Sequence, residues 1–371
     1  MTGQPPSPTP PGAGPDPLAP LRQEIDRVDE QLVSLMAERA RLVVEVGRTK
    51  RDRGLPIYAP HREKEVLERA LRRPHAPLPD RTVEAVFREL MSGSFALELP
   101  LRIGYLGPPG TFSHLAAVRH FGSSVEFADL GQIDLVFEEV EKGHCHYGFV
   151  PYENSIGGSV VETLDAFQER QVRICAEALV EVNQALLANG PPEGIRRIHS
   201  KGEAFSQCRN WLARRFPEAE LVPAPSTAAA ARLAAEEPGS AAIGSELAGE
   251  IYGLNVLFEA IQDRAGNVTR FLVIGGQEAR ATGEDKTTIL FATRHAPGAL
   301  VDVLEVFRRA DLNLSHIDKR PSARENWRYS FFIDVDAHAA DPRMAAALDE
   351  ASRHCLSLRV LGSYPRASRI L

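Results

Sequence analysis

The chain has 371 residues and a formal net charge of -7, which predicts two or three domains and argues against nucleic acid as the main partner, because phosphate binding needs a basic surface. Its 43% hydrophobic and 25% charged residues are typical of an ordinary globular protein. The chain lacks an apolar run of about 18 residues and a signal-peptide pattern, so we expect a cytoplasmic protein with no membrane partner.

The first part of the chain predicts a disordered tail and then three helices. Residues 1–20 are rich in Pro and Gly and cannot bury enough apolar surface to offset ordering. Over residues 21–53, apolar side chains recur at three- and four-residue steps, which predicts one long amphipathic helix. Further helices are expected after Pro60 and from near Asp80. Three helices over residues 21–98 make a thin core, so we expect a bundle completed by a second subunit.

Several polar residues interrupt or extend the apolar stripes of these helices. Arg39 and Lys50 lie on the stripe of the first helix, eleven residues and therefore about three turns apart. Glu63, Ser94 and Glu98 interrupt or extend the apolar stripes of the other two predicted helices. One interpretation is that the long side chains snorkel to water. The alternative is a pocket for a small polyanion, since Arg binds carboxylates in bidentate geometry.

The segments LRQEIDRVDEQLVSLMAERARLVVEVGRTK and REKEVLERA resemble the all-helical chorismate mutase family over about residues 21–98. The resemblance implies that Arg22, reaching into the partner subunit's site, and Arg39 clamp the two carboxylates of chorismate. It also implies that Lys50 and Glu98 face the ether oxygen. The full set of implied site residues is Arg22, Arg39, Lys50, Arg62, Glu63, Ser94 and Glu98. Many members of the family have an acidic residue where this chain has Ala59.

The implied rearrangement to prephenate needs no nucleophile, so catalysis comes from holding the reactive conformer and stabilising charge on the ether oxygen. Other mutases of this fold commonly have Gln at the position of Glu98. An ionised carboxylate cannot donate a hydrogen bond, so Glu98 has to be protonated to assist. We therefore expect mutase activity to fall as pH rises.

From Leu101 the pattern changes to short apolar runs, each followed by a turn and a helical stretch. This predicts an α/β sheet with a mainly parallel core. The turns place Ser, Thr or Asn near helix N-termini, where backbone N–H groups attract anions. Ordinary helix capping is the alternative explanation for any one of these residues.

Three motifs in residues 101–280, GPPGTFS, PYENSIGGS and NVTRF, resemble prephenate dehydratase. The resemblance implies a two-lobed, periplasmic-binding-protein-like α/β domain around a cleft. KGEAFSQC replaces the usual HPQAxxQC but keeps Gln207. The hydroxyl of Thr269 is implied to assist loss of the ring hydroxyl in a closed, dry cleft. The implied substrate-binding residues are Thr111, Glu153, Asn154, Ser155, Ser200, Gln207, Arg270 and Phe271.

No metal or organic cofactor is expected. The four cysteines lack CxxC spacing, which indicates reduced thiols. His144, Cys145 and His146 are a weak metal candidate, because consecutive residues on a strand point to opposite faces.

Residues 287–366 begin with a strand, helix, strand, strand pattern and resemble an ACT domain, which implies an α+β ferredoxin-like fold. Its GAL motif is present, and DKRP stands where the related enzymes have ESRP. By resemblance the domain binds L-phenylalanine at a subunit interface. A packing module without a ligand is the alternative. The implied allosteric residues are Gly298, Ala299, Leu300, Asp318, Arg320 and Pro321.

Together the three regions resemble bifunctional chorismate mutase/prephenate dehydratases with a C-terminal regulatory domain. The resemblance implies conversion of chorismate to prephenate and then to phenylpyruvate in L-phenylalanine biosynthesis, with feedback inhibition by L-phenylalanine. It also implies a homo-oligomer, either dimer or tetramer. Two alternatives remain open: a dehydratase that prefers arogenate, and an amino-acid-binding regulator without catalysis.

Overall fold

A computed structural model of the protein describes residues 16–321 and 329–371. Most of the predicted tail, residues 1–20, lies outside the described residues. The chain divides into two compact units, Met1–Leu55 and Pro56–Leu371. Among the described residues, no helix combines the length and apolar character that crossing a membrane requires.

The described part of the first unit contains one long helix, α1 (Ala19–Asp52), which confirms the helix predicted over residues 21–53. It starts two residues earlier than predicted because Pro20 lies in its first turn, where the missing N–H forms no helical hydrogen bond anyway. In the single chain, six residues on the apolar face of α1, against which we expect a second subunit, are 44% to 64% exposed. They are Leu21, Ile25, Val28, Leu32, Leu35 and Val46.

The second unit begins with the other two predicted helices, α2 (Pro60–Leu71) and α3 (Asp80–Glu98). Helix α3 buries Met91 and Phe95. Tyr58, which is fully buried just before α2, packs edge-on against Phe95 at 5.9 Å and against Tyr147 at 5.1 Å between ring centroids. These two helices therefore share an aromatic core with the α/β region that follows.

The α/β region forms two lobes, as predicted, each built on its own sheet. The first lobe contains β1 (Arg102–Leu106), α4 (Phe112–Phe121), β2 (Glu126–Leu130), α5 (Ile133–Glu141), β3 (Tyr147–Asn154), β4 (Gly158–Ser159), α6 (Val161–Glu169) and β5 (Arg173–Glu181). The second contains β6 (Ala185–Ala188), β7 (Arg197–Ser200), α7 (Gly202–Gln207), α8 (Arg209–Arg215), β8 (Glu220–Pro223), α9 (Thr227–Glu236), β9 (Ser240–Gly244), α10 (Glu246–Tyr252) and β10 (Asn255–Phe258). A 3-10 turn, Pro192–Gly194, precedes β7. Strand β11 (Val268–Gly275) then returns to the first lobe.

The prediction of a mainly parallel core is confirmed in both sheets, although each strand order also contains one strand that runs antiparallel to the others. In the first, ordered β2-β1-β3-β11-β5, β1 is parallel to its neighbours and β11 is antiparallel to both of its own. In the second, ordered β10-β6-β9-β7-β8, the pairs that involve β6 are antiparallel. The chain crosses from one lobe to the other twice, and β6 and β11 are the first strands after these crossings. Neither strand is therefore joined to the preceding strand of its own sheet by a turn and a helix.

The C-terminal region contains β12 (Asp285–Thr293), α11 (Ala299–Arg309), β13 (Leu314–Pro321), β14 (Tyr329–Val335), α12 (Pro342–His354) and β15 (Cys355–Pro365). Its sheet has the order β13-β14-β12-β15 with antiparallel neighbours. The sequence pattern predicted its first strand, helix and next two strands, while α12 and β15 complete a β-α-β-β-α-β arrangement. Both helices contribute to one core, which includes Phe307 and Met344.

Candidate active sites

A hydrogen bond joins the two dehydratase-like motifs at the end of β3. Thr269 on β11 lies directly opposite Asn154, the last residue of β3. The Asn154 side-chain amide donates to the Thr269 hydroxyl oxygen at 2.9 Å, and Thr269 is only 9% exposed. A hydroxyl that accepts this bond keeps its own hydrogen for donation to another oxygen. The pair is therefore arranged to present a hydrogen-bond donor.

The orientation of the Asn154 amide is fixed by its other hydrogen bonds. Its oxygen accepts from the backbone N–H groups of Ile156 at 3.0 Å and Gly157 at 2.8 Å. Its nitrogen also donates to the side-chain oxygen of Asn267 at 2.7 Å. A reversed amide would turn its NH₂ group toward two N–H donors, so the nitrogen must face Thr269.

Two residues that were not predicted from the sequence connect this pair to the second lobe. Asn267 is 2% exposed, and its amide nitrogen lies 3.4 Å from the side-chain oxygen of Gln207 on α7. Gln184, 4% exposed, donates to the same oxygen at 3.0 Å. The sequence could have predicted Asn267 from its position two residues before Thr269, since side chains two apart along an extended chain point to the same side.

The GPPGTFS loop lies where the two lobes meet. Gly110 has φ +87°, and a Cβ atom there would lie 3.1 Å from the Cα of Ala248 in the second lobe. Ser245, fully buried, donates to the Gly110 carbonyl at 2.7 Å. The Thr111 hydroxyl caps α4, accepting from His114 N–H at 3.3 Å. Thr111 therefore acts as a helix cap, and its contact with the substrate stays a prediction.

Two predicted substrate-binding serines bond mainly to the backbone. The Ser155 hydroxyl accepts from Val268 N–H at 3.0 Å and lies 3.2 Å from the carbonyl oxygen of Gly266. Ser200 is fully buried and donates to the Ile243 carbonyl at 2.9 Å. The assignment of Ser200 to the substrate is therefore corrected: this hydroxyl ties β7 to β9. Ser155 fixes the start of β11 next to Thr269.

Arg270 and Phe271 are also enclosed by protein side chains. Phe271 is 2% exposed and stacks on Phe149 with ring centroids 4.9 Å apart, which makes it a core residue. Burial disfavours the charge of Arg270, but Tyr364 and Asp334 raise its pKa well above the ordinary value. Both predicted substrate contacts are corrected, because these side chains are enclosed by protein groups.

The mutase-like residues fall in both units. In the first unit, Arg22 is exposed and its guanidinium lies 2.5 Å from the carboxylate of Asp16, while Arg39 and Lys50 are half-buried. In the second unit, Arg62 is exposed and pairs with Glu65 at 2.8 Å, and Glu63 is half-buried. Ser94 and Glu98, both on α3, are each 7% exposed, and the Ser94 hydroxyl donates to the Leu90 carbonyl at 2.6 Å.

Comparison with known proteins identifies both regions. The chain matches the chorismate mutase type II family over residues 21–99 and the prephenate dehydratase family over residues 103–279. It is 42% identical over 359 residues to a bifunctional chorismate mutase/prephenate dehydratase of Stutzerimonas stutzeri, covering 95% of this chain and 98% of that one. The chain belongs to the bifunctional chorismate mutase/prephenate dehydratase family. The Aquifex aeolicus member is 40% identical over 355 residues, covering 94% of this chain and 98% of its own.

A solved dehydratase has the same fold over most of this chain. The crystal structure of the Arthrobacter aurescens prephenate dehydratase in complex with L-phenylalanine is 38% identical, with a TM-score of 0.68. The match covers 72% of this chain and 90% of that one. In the altered KGEAFSQC motif of this family member, Lys201 pairs with Glu203 at 3.4 Å on the surface. Gln207 alone among the motif's polar groups joins the network around Thr269.

The residues assigned to the effector by resemblance lie at two places in the C-terminal region. Gly298 has φ +83° and precedes α11, whose first turn contains Ala299 and Leu300. Arg320, on β13, binds both oxygens of Asp165 on α6 at 2.8 Å. The pKa of Arg320 is raised, mainly by this hydrogen bond.

The other two residues of this set flank Arg320 on the same strand. Asp318 accepts a hydrogen bond from Lys319 N–H at 2.6 Å. The carbonyl of Pro321 lies 3.4 Å from the amide nitrogen of Gln168 on α6. Segment 318–321 thus contacts the dehydratase lobe.

In the part of the chain that the structure describes, no three His, Cys, Asp or Glu side chains are placed to share a metal ion. His144, Cys145 and His146 precede β3 rather than lying on it, so the argument from strand alternation does not apply to them. His144 lies 3.2 Å from Glu139, and His146 accepts a hydrogen bond from Arg102 N–H at 3.0 Å.

Proposed function

We infer that the chain converts chorismate to prephenate and prephenate to phenylpyruvate, the two steps named in the family it belongs to, in L-phenylalanine biosynthesis. The observation that supports the second step most directly is the Thr269 hydroxyl, held by the fixed amide of Asn154. Supplying purified protein with each substrate separately tests the two activities. A chain that turns over neither substrate would instead favour the regulator without catalysis.

The dehydratase step removes the ring hydroxyl and the ring carboxylate of prephenate together. The electron pair of the breaking C–CO₂ bond enters the ring as the C–OH bond breaks, so that the ring becomes aromatic and CO₂ and hydroxide leave, the hydroxide becoming water by taking a proton from solvent. The Thr269 hydroxyl donates a hydrogen bond to the departing oxygen, where negative charge develops. Asn154 orients that hydroxyl, while Asn267, Gln207 and Gln184 hold Asn154 in place.

The mutase step takes place in the helical region, for which we propose a homodimer. The apolar face of α1, with Leu32 52% and Leu35 61% exposed, is the kind of surface that a second copy covers. In that dimer Arg22 reaches the partner's site, while Arg39 clamps a chorismate carboxylate. Lys50 and Glu98 stabilise charge on the ether oxygen as its C–O bond breaks.

Glu98→Gln tests the proposed contact of Glu98 with the ether oxygen. An amide of nearly the same shape can donate a hydrogen bond to that oxygen without carrying a negative charge beside it. We expect this variant to preserve or raise mutase activity at neutral pH and to leave dehydratase activity unchanged. Loss of mutase activity in Glu98→Gln, measured by chorismate disappearance, would contradict this role of Glu98.

For the C-terminal region we propose an ACT domain that binds L-phenylalanine and lowers dehydratase activity. The β-α-β-β-α-β order of strands and helices and the left-handed Gly298 before α11 support this assignment. L-phenylalanine should inhibit phenylpyruvate formation from prephenate and leave chorismate consumption unaffected, and D-phenylalanine is the matched control ligand. Equal responses to the two enantiomers would count against a specific site.

A shortened chain is a poor test of this regulation. Removal of residues from Thr287 onward deletes Asp334 and Tyr364, both of which bind the buried guanidinium of Arg270. Loss of activity in such a chain would therefore combine two effects, removal of the proposed effector region and removal of the partners of Arg270. The preference for prephenate over arogenate is a separate question, which the ratio of kcat/KM for the two substrates answers.

A further inference from the structure

Asn154 and Thr269, the proposed catalytic pair, each have a neighbour in sequence whose side chain points to the opposite side of the sheet. Glu153 and Arg270 face each other across β3 and β11, in register with Asn154 and Thr269. The guanidinium of Arg270 lies 3.9 Å from the Glu153 carboxylate. Successive side chains of a strand alternate between its faces but share one backbone. A backbone shift at Glu153 or Arg270 therefore also moves Asn154 or Thr269.

Arg270 is held largely by the C-terminal sheet. Its Nη1 atom lies 2.5 Å from Asp334 on β14, and its Nη2 atom donates to the Tyr364 hydroxyl on β15 at 2.9 Å. Its Nε atom lies 2.7 Å from Glu177 on β5 of the first lobe. The side chains of Asp334 and Glu177 are 0% and 1% exposed. A buried cation requires such partners, so β11 cannot move independently of β14 and β15.

Glu153 is held by the same region. The Nδ1 atom of His316 on β13 lies 3.4 Å from the Glu153 carboxylate, and this hydrogen bond is the main cause of the lowered pKa of Glu153. The Tyr152 ring lies between the two contacts, 5.4 Å from the His316 ring and 4.9 Å from the Arg270 guanidinium carbon. Both neighbours of the catalytic pair are therefore bound by side chains of the C-terminal sheet.

Strand β13 also contains the segment assigned to the effector. Burial alternates along β13, so that His316, Asp318 and Arg320 share its half-buried face. Arg320 is anchored to α6 through both carboxylate oxygens of Asp165. A displacement of β13 thus acts on the Arg320 and His316 contacts together.

We propose that His316 and Tyr364 are positioning residues for the dehydratase reaction, and that β13 transmits effector binding to Asn154 and Thr269 through Glu153. This proposal rests on the proposed function. Effector binding at segment 318–321 favours a position of β13 in which Glu153 is displaced, which changes the direction of the Thr269 hydroxyl. Such coupling requires that the effector bind two positions of β13 with different affinity.

The test compares His316→Ala and Tyr364→Phe with wild type in the full-length protein. Tyr364→Phe keeps the buried ring and removes only the hydroxyl, which lies 2.9 Å from Arg270 Nη2 and 2.6 Å from the Thr288 hydroxyl. His338→Ala is the matched control, because His338 lies in the same region and contacts the Ala279 carbonyl at 3.2 Å instead of Glu153. The measurements are kcat and KM for prephenate, maximal inhibition by L-phenylalanine, and L-phenylalanine binding by calorimetry.

We expect both variants to lower dehydratase kcat by about 3- to 10-fold with little change in KM, the size of effect typical of coupling residues. Maximal inhibition should fall while L-phenylalanine still binds, and mutase activity should be unchanged. Variants that match His338→Ala in kcat and inhibition would overturn the proposal, as would inhibition lost only in proportion to binding. A wild-type chain inert toward prephenate would instead contradict the proposed function, and this proposal with it.

Discussion

Thr269→Ala should reduce dehydratase turnover of prephenate by about 10²–10³-fold, the loss typical of removing one preorganised donor to a developing negative charge. The Asn154 amide would remain in place through Ile156 and Gly157, but no hydroxyl would face the leaving oxygen. The measurement is phenylpyruvate formation from added prephenate. KM should change less than kcat, because the bond strengthens as charge develops on the leaving oxygen.

Two controls separate this chemistry from a folding defect. Thr269→Ser keeps a hydroxyl beside Asn154 and should retain most of the activity. Mutase activity of Thr269→Ala should equal that of wild type, since the residue lies on β11 and not in the helical region. A Thr269→Ala variant with near wild-type turnover of prephenate would rule out the assigned role.

Arg39→Ala should abolish mutase activity, with a loss of about 10²-fold or more in kcat, and leave turnover of added prephenate intact. The guanidinium is expected to bind a chorismate carboxylate at two points, and an alanine side chain provides no donor for that geometry. Arg39→Lys should also be impaired, because an ammonium group cannot reproduce the planar fork. The measurement is chorismate disappearance.

The matched control for Arg39 is Arg41→Ala, an exposed arginine on the same helix. It removes the same charge two residues away and should leave both activities near wild type. If Arg39→Ala lowers both activities equally, the variant has lost its fold and the two sites are not separable by this residue.

The helical elements were predictable from sequence because their signals are local. The spacing of apolar residues, together with Pro60 and Asp80, indicated three helices, and the structure begins each of them within a few residues of the predicted start. The sequence led us to expect a second subunit against the apolar face of α1, but it did not indicate which surface of that subunit covers the face. That depends on a surface outside the helix, which no periodic pattern describes.

The candidate dehydratase site was predictable only in part, for a physical reason. The motifs placed Asn154 and Thr269 near strand ends, but their contact joins residues 115 positions apart and depends on antiparallel register between β3 and β11. Register also decides that Arg270 faces the C-terminal sheet instead of the substrate. A one-residue slip would exchange the faces of Thr269 and Arg270, and sequence alone does not exclude that slip.

The most direct test of the account is to incubate the purified full-length protein with chorismate alone and to follow phenylpyruvate by its absorbance in alkali. We expect that chorismate is consumed, that prephenate appears, and that phenylpyruvate accumulates as the final product without added metal or organic cofactor. Unchanged chorismate, or prephenate as the stable end product, would contradict the claim that one chain catalyses both steps.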